Sequence, residues 1–139
     1  MRDYQNYTEK VYNKIDGVLN RTNTISNGKY TICTKDNGEG FSKYNNILIN
    51  RFKETADYKQ GILFYIKNVS NKRIWINTPI EDGNRGDIYK TIFAPERDEF
   101  VRIDANIETK TKIIVSPDDP VERLSRKLAP LFKWRQFCF

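Results

Sequence analysis

The order of apolar and polar residues along the chain predicts a series of short β-strands. Between residues 29 and 35 the two kinds of residue alternate, and Tyr30, Ile32 and Thr34 share one side. Residues 88–94 alternate in the same way. Because successive side chains of a strand point to opposite faces of its sheet, this pattern indicates strands with one side towards a core.

Turn residues join these strands into hairpins. Residues 62–68 pair with 73–77 in one predicted hairpin, and residues 100–104 pair with 107–115 in another. The segment 47–52 starts with apolar residues on both faces, so we expect a strand buried between layers. About seven short strands separated by Gly, Asn, Asp and Pro predict an all-β fold, an antiparallel β-sandwich.

Both ends of the chain show a different spacing. Apolar residues recur at intervals of four near the start, at Tyr7, Val11, Ile15 and Leu19, and again near the end, at Val121, Leu124, Leu128 and Leu131, where Pro130 interrupts them. Such spacing is typical of an amphipathic helix and predicts short terminal helical segments. The predicted organisation is a lead-in over residues 1–23, a sandwich over 24–122 and a basic aromatic tail over 123–139.

Charge and composition exclude several classes of function. The net charge is +6, but the last 19 residues carry +4 of it, so the remainder is nearly balanced and a nucleic-acid partner is disfavoured. The chain has no histidine, which excludes a Ser-His-Asp triad and a histidine-ligated zinc. Cys33 and Cys138 lack metal-ligand spacing, so no metal or cofactor is predicted.

The sequence also predicts where the protein resides. No apolar run reaches the roughly 18 residues of a membrane-spanning helix, and the first residues lack the apolar core of a signal peptide. We therefore expect a cytoplasmic protein.

A glycine-spaced loop with aromatic neighbours is the candidate site. Glycines permit close approach of a ligand, while aromatic faces and hydroxyls can stack on and hydrogen-bond to a sugar or a neighbouring subunit. The candidate residues are Asp36, Asn37, Gly38, Glu39, Gly40, Phe41, Ser42, Lys43 and Tyr44, with Arg51 as the cationic candidate on the next predicted strand.

Each candidate also has a structural explanation. Phe41 and Tyr44 can cap the core, Asp36 and Glu39 suit turns, and a strand arginine such as Arg51 often pairs with a carboxylate. For two further features the structural explanation is favoured. Asp118 and Asp119, between two prolines, suit a turn rather than glycosidic catalysis, and Trp75 is expected in the core rather than as a sugar-stacking platform.

The aromatic tail has two interpretations. Its leucines and aromatic rings lie among Arg and Lys, which is typical of a membrane-surface anchor. The other interpretation is a non-native end that has the same composition. Such an end promotes association because it leaves a large apolar patch in water, and this second interpretation is favoured.

Several separated segments resemble one protein family. They occur in a fixed order, at residues 25–31, 38–44, 49–54, 107–110 and 115–122. Together they resemble the N-terminal β-sandwich region of glycoside phosphorylases of the cellobiose phosphorylase type, and most closely that of cyclic β-1,2-glucan synthases and 1,2-β-oligoglucan phosphorylases. The resemblance implies a sandwich related to galactose-mutarotase-like domains, followed in the family by a catalytic (α/α) barrel that these 139 residues do not include.

The resemblance also implies a role. This chain would be non-catalytic alone, would bind β-glucan or oligosaccharide weakly, and would contribute oligomer contacts and the loop 36–44 beside a partner's sugar site. The family's sandwich continues with further strands, and after residue 122 the sequence departs from the family pattern, which suggests a truncated or frame-altered product. An incomplete sandwich exposes a sheet edge, so self-association or docking to a missing barrel is expected. The alternatives are a free-standing sugar-binding module and a basic interaction protein that binds anionic surfaces.

Overall fold

The described part of the chain consists of strands. The computed structural model describes residues 8–13, 21–50, 61, 64–78 and 88–130, and these residues form eleven β-strands and no helix. The strands are β1 (Lys10–Tyr12), β2 (Thr22–Ser26), β3 (Tyr30–Lys35), β4 (Gly40–Tyr44), β5 (Ile47–Leu48), β6 (Tyr65–Lys67), β7 (Ile74–Ile76), β8 (Ile88–Ala94), β9 (Arg97–Asp104), β10 (Ile107–Val115) and β11 (Glu122–Pro130).

The strands form two main sheets and a separate hairpin. Sheet A has five strands in the order β1-β8-β9-β10-β11, and sheet B has four in the order β2-β3-β4-β5. Strands β6 and β7 pair with each other, and every pairing is antiparallel. Polar and apolar side chains of sheet B contact the inner face of sheet A, so the predicted antiparallel sandwich is confirmed.

Alternation and turn chemistry identified the central strands correctly. Strand β8 has the predicted bounds, and the predicted hairpins β6–β7 and β9–β10 are present. In the β9–β10 turn Ala105 and Asn106 have φ values of 47° and 65°, so both adopt the left-handed conformation. Two such residues match the twist of the flanking strands in a two-residue hairpin. β9 starts at Arg97, three residues before the predicted start at residue 100, so Asp98 lies inside the strand.

The prediction of a helix near the start is wrong for the described residues. Lys10–Tyr12 is a strand that pairs with β8, and Tyr12 packs edge-to-face on Phe93 with ring centroids 5.8 Å apart. Residues 1–7 and 14–20 of the predicted lead-in lie outside the described residues.

The prediction of a helix near the end is also wrong. Glu122–Pro130 pairs with β10 along its whole length. A spacing of four residues places Leu124 and Leu128 on one side of a helix, but it equally places them on one face of a strand, where every second residue faces the same way. The sheet thus continues past the predicted sandwich end at residue 122, whereas residues 131–139 lie outside the described part.

The segment predicted as a buried strand lies at an edge instead. β5 contains only Ile47 and Leu48, which are 65% and 52% exposed, and the neighbouring Ile49 is 56% exposed. Among the described strands β5 pairs on one side only, with β4, so it has fewer neighbours there than a central strand. Residues 51 and 52, the end of the predicted strand, lie outside the described residues.

The interior combines an aromatic cluster with many polar groups. Tyr89, Phe93 and Phe100 form the apolar cluster between the sheets. Trp75 is 2% exposed, which confirms the prediction that it belongs to the core. The buried polar residues are Thr34, Asp36, Ser42, Asn77, Thr78, Thr91, Asp98, Glu99, Arg102, Asp104, Thr109 and Thr111. Burying a polar group is costly unless it is paired, and most of these side chains form hydrogen bonds or ion pairs that fix how the sheets pack.

Candidate functional site

The glycine-spaced loop is the connection of a hairpin. It joins β3 to β4, and its backbone closes on itself, since the Gly38 amide donates to the Lys35 carbonyl over 2.9 Å and the Lys35 amide donates to the Glu39 carbonyl over 2.7 Å. The Asn37 side-chain oxygen accepts from the Glu39 amide over 2.9 Å, which is the turn chemistry expected of asparagine. The loop therefore has a defined conformation.

Asp36 anchors this loop to sheet A. Its backbone carbonyl accepts hydrogen bonds from the Tyr89 hydroxyl at 2.8 Å and from the Thr91 hydroxyl at 2.9 Å. Its buried carboxylate lies 3.7 Å from the guanidinium of Arg21. Burial raises the pKa of the Tyr89 phenol, which consequently stays protonated and able to donate at neutral pH. Asp36 thus has a structural role in this hairpin.

The glycines of the loop allow close packing within the protein itself. Gly38 has a φ of +90°, and a Cβ there would lie 2.4 Å from the Thr78 side chain. A Cβ on Gly40 would lie 2.3 Å from the Cys33 carbonyl oxygen, and one on Gly61 would lie 2.9 Å from the Gly38 carbonyl oxygen. Such distances are too short for any other residue.

Exposure differs along the candidate residues. Asp36, Gly40 and Ser42 are buried, the others up to Lys43 are half-buried, and Tyr44 is exposed. Lys35 and Glu39 form an ion pair of 3.0 Å beside the loop. Arg51 lies outside the described residues. The structure therefore brings the loop residues together, with Tyr44 at the point where the segment reaches the surface.

A small cavity lies between the sheets beside the loop. Its volume is about 30 Å³, and its wall includes Gly38, Phe41, Ser42, Asn77 and Glu122. That volume has room for about two water molecules rather than for a sugar ring.

One carboxylate reaches this cavity from β11. Ser42 donates to Glu122 Oε2 over 3.3 Å, which links sheet B to sheet A. Burial raises the pKa of the Glu122 carboxyl, although the hydrogen bond from Ser42 opposes the shift. The pair thus acts as a polar bridge between the sheets.

Sequence reasoning missed a second buried carboxylate. Asp98 is 0% exposed, and it accepts hydrogen bonds from the Thr34 hydroxyl and, over 2.7 Å, from the Asn23 amide. Asn23 also donates to the Ala94 carbonyl over 2.8 Å. Burial raises the pKa of the Asp98 carboxyl to about 6 even though both hydrogen bonds oppose the shift. The sequence offered no signal, because Thr34 is 64 residues away.

A buried ion pair lies at the other end of β9 from Asp98. Arg102 pairs with Asp104, and Arg73 of the β6–β7 hairpin pairs with the same carboxylate over 3.1 Å. Arg102 also donates to the Thr78 carbonyl over 3.3 Å. These contacts hold Thr78, which packs on Gly38, against β9.

Two other features are absent from the described residues. No group of three or more Asp, Glu or Cys side chains in those ranges could hold a metal ion. Nor does any helix there have the length and hydropathy needed to cross a membrane.

A model of a known protein family matches this chain. The family model described as glycosyl hydrolase 94, supersandwich domain, matches residues 5–129, which is most of the chain. The chain belongs to this supersandwich family. The resemblance to the N-terminal β-sandwich of such phosphorylase-like proteins is thereby confirmed. No curated protein matches the sequence.

The match places the described strands within the supersandwich domain. It starts before β1 and ends one residue before the end of β11, so it includes the glycine-spaced hairpin and nearly all of both sheets. It therefore extends beyond the 24–122 range predicted for the sandwich on both sides.

The surface of the supersandwich domain has an apolar strip beside Tyr44. Ile47 pairs directly opposite Tyr44, and Leu48 pairs opposite Lys43, so the side chains of Ile47 and Leu48 lie on opposite faces of this edge strand. Ile49 follows them along the edge. All four side chains are exposed, although three of them are aliphatic. Contiguous apolar residues on a surface often mark a contact site, so this strip, Tyr44 and residues 47–49, is the strongest candidate surface near the loop.

Proposed function

We propose that the chain acts as the accessory β-sandwich of a β-glucan phosphorylase or a cyclic glucan synthase-like protein. In this role it is non-catalytic alone, contributes oligomer contacts and positions the loop of residues 36–44 near a sugar site. Membership of the supersandwich family supports the association with phosphorylase-like proteins. The sugar contacts and the oligomer contacts are part of the proposal.

The apolar strip is the observation that carries this proposal. Ile47 and Leu48 form the edge strand of sheet B, where backbone groups and apolar side chains are available to a partner. Burying such a strip against a partner stabilises the complex by roughly 25 cal/mol for each Å² of apolar surface removed from water. Edge strands with exposed apolar residues favour pairing with another chain.

The interior packing explains why the strip, and not the glycines, is the proposed contact surface. Gly38 and Gly40 already pack on Thr78 and Cys33. A ligand that approached these glycines would have to displace the protein's own side chains and backbone. Tyr44, at the exposed end of the segment, is the residue that we propose contacts a sugar or a partner subunit.

Light scattering coupled to size-exclusion chromatography tests the oligomer contacts. We expect the wild-type chain to associate increasingly with concentration and the double variant Ile47→Lys, Leu48→Lys to remain monomeric. Thr22→Lys, on the exposed edge strand at the other side of sheet B, is the matched control and should behave as wild type. A wild-type chain that is monomeric at every concentration would contradict the proposed contacts.

Titration with β-1,2-gluco-oligosaccharides tests the sugar site. We expect weak binding with NMR shifts centred on Tyr44, and Tyr44→Ala should abolish it. Phosphorolysis by the purified chain alone would overturn the accessory role. Shifts confined to residues far from Tyr44 would overturn the proposed position of the sugar.

A further inference from the structure

Among the described strands, β11 is the longest that lies at the edge of a sheet. It runs for nine residues, pairs with β10 on one side, and has no strand on its other side among the described residues. An edge strand presents a row of backbone donors and acceptors that can pair with another chain. Strand addition to such an edge is a common mode of peptide recognition.

The outer face of this edge is cationic. Register places Lys127 directly opposite Lys110 and Arg123 opposite Ile114. Lys110 bonds to Glu99 over 2.8 Å, whereas Arg123 and Lys127 have no ion-pair partner within the described ranges. Like charges directly opposite each other destabilise a strand pair, so this face favours additional negative charge beside β11.

The inner face of the same edge borders an apolar groove. The groove has a volume of about 400 Å³ and lies between the end of β11 and the β6–β7 hairpin. Its wall is mostly apolar and consists of Ile66, Lys67, Asn68, Val69, Trp75, Ile107, Leu128, Ala129 and Pro130. Arg126 lies on the same inner face, over the ring of Phe64, so the apolar part of this face is its Leu128 end. A strand added along β11 would direct every second side chain to this inner side, because side chains alternate between the faces of a sheet.

We propose that β11 is the docking edge for an extended strand of a partner protein in which apolar and acidic residues alternate. The partner's acidic side chains lie on the outer face beside Arg123 and Lys127. Its apolar side chains lie on the inner face and fill the groove next to Leu128. The backbone of the partner pairs with the outer edge of β11.

A second copy of this chain fits the same edge poorly. Antiparallel pairing of β11 with itself over all nine residues would place Arg126 opposite its own copy. Each copy also carries three cations and one carboxylate on this strand, so the two strands repel. The docking edge is separate from the apolar strip of the proposed function, which lies at the edge of sheet B.

Fluorescence anisotropy with a synthetic peptide tests the proposal. The probe is a labelled eleven-residue peptide of alternating valine and glutamate, and the control peptide has lysine in place of glutamate. We expect the wild-type protein to bind the acidic peptide at least about tenfold more tightly than the lysine peptide. The variant Arg123→Glu, Lys127→Glu should reverse this preference.

Matched variants and a second measurement keep the result specific. Lys10→Glu combined with Lys29→Glu changes the net charge equally but alters exposed sites away from β11, so the acidic peptide should bind as it does to wild type. Hydrogen exchange should slow at β11 amides when the acidic peptide is bound, since new strand pairs protect them. Thermal unfolding confirms that each variant is folded.

Four outcomes would overturn the proposal. The first is that the acidic peptide does not bind at about 1 mM, where the free energy of binding is only about 4 kcal/mol. The second is that an acidic peptide interrupted by proline binds as tightly as the uninterrupted one, and the third is that a DNA duplex competes equally well, which would indicate a general anion surface. The fourth is self-association through β11. None of these results depends on Ile47 or Leu48, so the proposed function can fail or hold independently.

Discussion

Replacing Asp98 by asparagine provides the most direct test of how the sandwich interior is stabilised. The Asp98 carboxyl is fully buried, and no cation in the described part of the chain forms an ion pair with it. Its partners are the Thr34 hydroxyl and the Asn23 amide. Asparagine has nearly the same shape: its oxygen can accept from Asn23, and its amide can donate to the Thr34 hydroxyl oxygen.

The expected magnitude follows from the pKa. Burial raises the pKa of Asp98 from 3.8 to about 6. One pKa unit corresponds to about 1.36 kcal/mol, so the ionised carboxylate lowers the free energy of unfolding by roughly 3 kcal/mol at neutral pH. The folded state holds the proton more tightly than the unfolded state. The stabilising contribution of Asp98 is therefore fully present below pH 4 and is lost as the pH rises through about 6.

Urea unfolding between pH 4 and pH 8 measures this effect. At pH 7.5 we expect Asp98→Asn to raise the free energy of unfolding by about 1 to 3 kcal/mol, with the gain vanishing near pH 4. Asp118→Asn, in the exposed turn before β11, is the control and should change stability by less than about 0.5 kcal/mol. A variant that is less stable than wild type at pH 7.5, by the same amount at every pH, would refute the reasoning.

Two further predictions concern packing. Gly38→Ala should lower the free energy of unfolding by about 2 kcal/mol or more, because the new side chain combines a positive φ with overlap on Thr78. Gly28→Ala is the control: its φ is +89° but the space around it is open, so it should lower the free energy of unfolding by about 1 kcal/mol. Equal losses in urea unfolding would contradict this prediction. Arg102→Met should cost about 3 to 5 kcal/mol because it leaves a buried carboxylate without its main partner, while Arg73→Met, which removes the more exposed partner, should cost about 1 kcal/mol or less. Chemical denaturation would show the reverse order if the Arg73 pair were the important one.

Local pattern was sufficient for much of the fold. Strict alternation predicted β8 with its bounds, and paired runs separated by turn residues predicted the β9–β10 hairpin. It failed where one pattern fits two structures. Leu124 and Leu128 are four residues apart, which suits both a helix and a strand, and only the pairing with β10 decides between them.

The candidate site was harder to predict, because it depends on contacts distant in sequence. The sequence identified a hairpin with unusual glycines, yet it gave no indication that Gly38 packs on Thr78, forty residues later. It also gave no indication that Asp36 accepts from Tyr89 and Thr91. Glycine permits close approach without specifying what approaches, so the pattern alone could not distinguish a ligand from the protein's own side chains.

The polar links between the sheets determine which surfaces are available for function. Thr34 bonds to Asp98 and Ser42 bonds to Glu122 between the two sheets, and Asn77, which follows β7, donates to Thr111 of sheet A over 2.9 Å. A buried polar side chain that loses its partner is destabilising by about 1 to 3 kcal/mol, so a slide of one sheet on the other would break several such bonds together. The hairpin that carries the candidate loop is therefore held in one position on sheet A. Within the described residues each main sheet has two edge strands, β1 and β11 in sheet A and β2 and β5 in sheet B. With the loop fixed in this way, we expect partner contacts at two of these four edges, the apolar β5 and the cationic β11. Because one edge is apolar and the other is charged, high salt should weaken contacts at β11 and leave those at β5 intact.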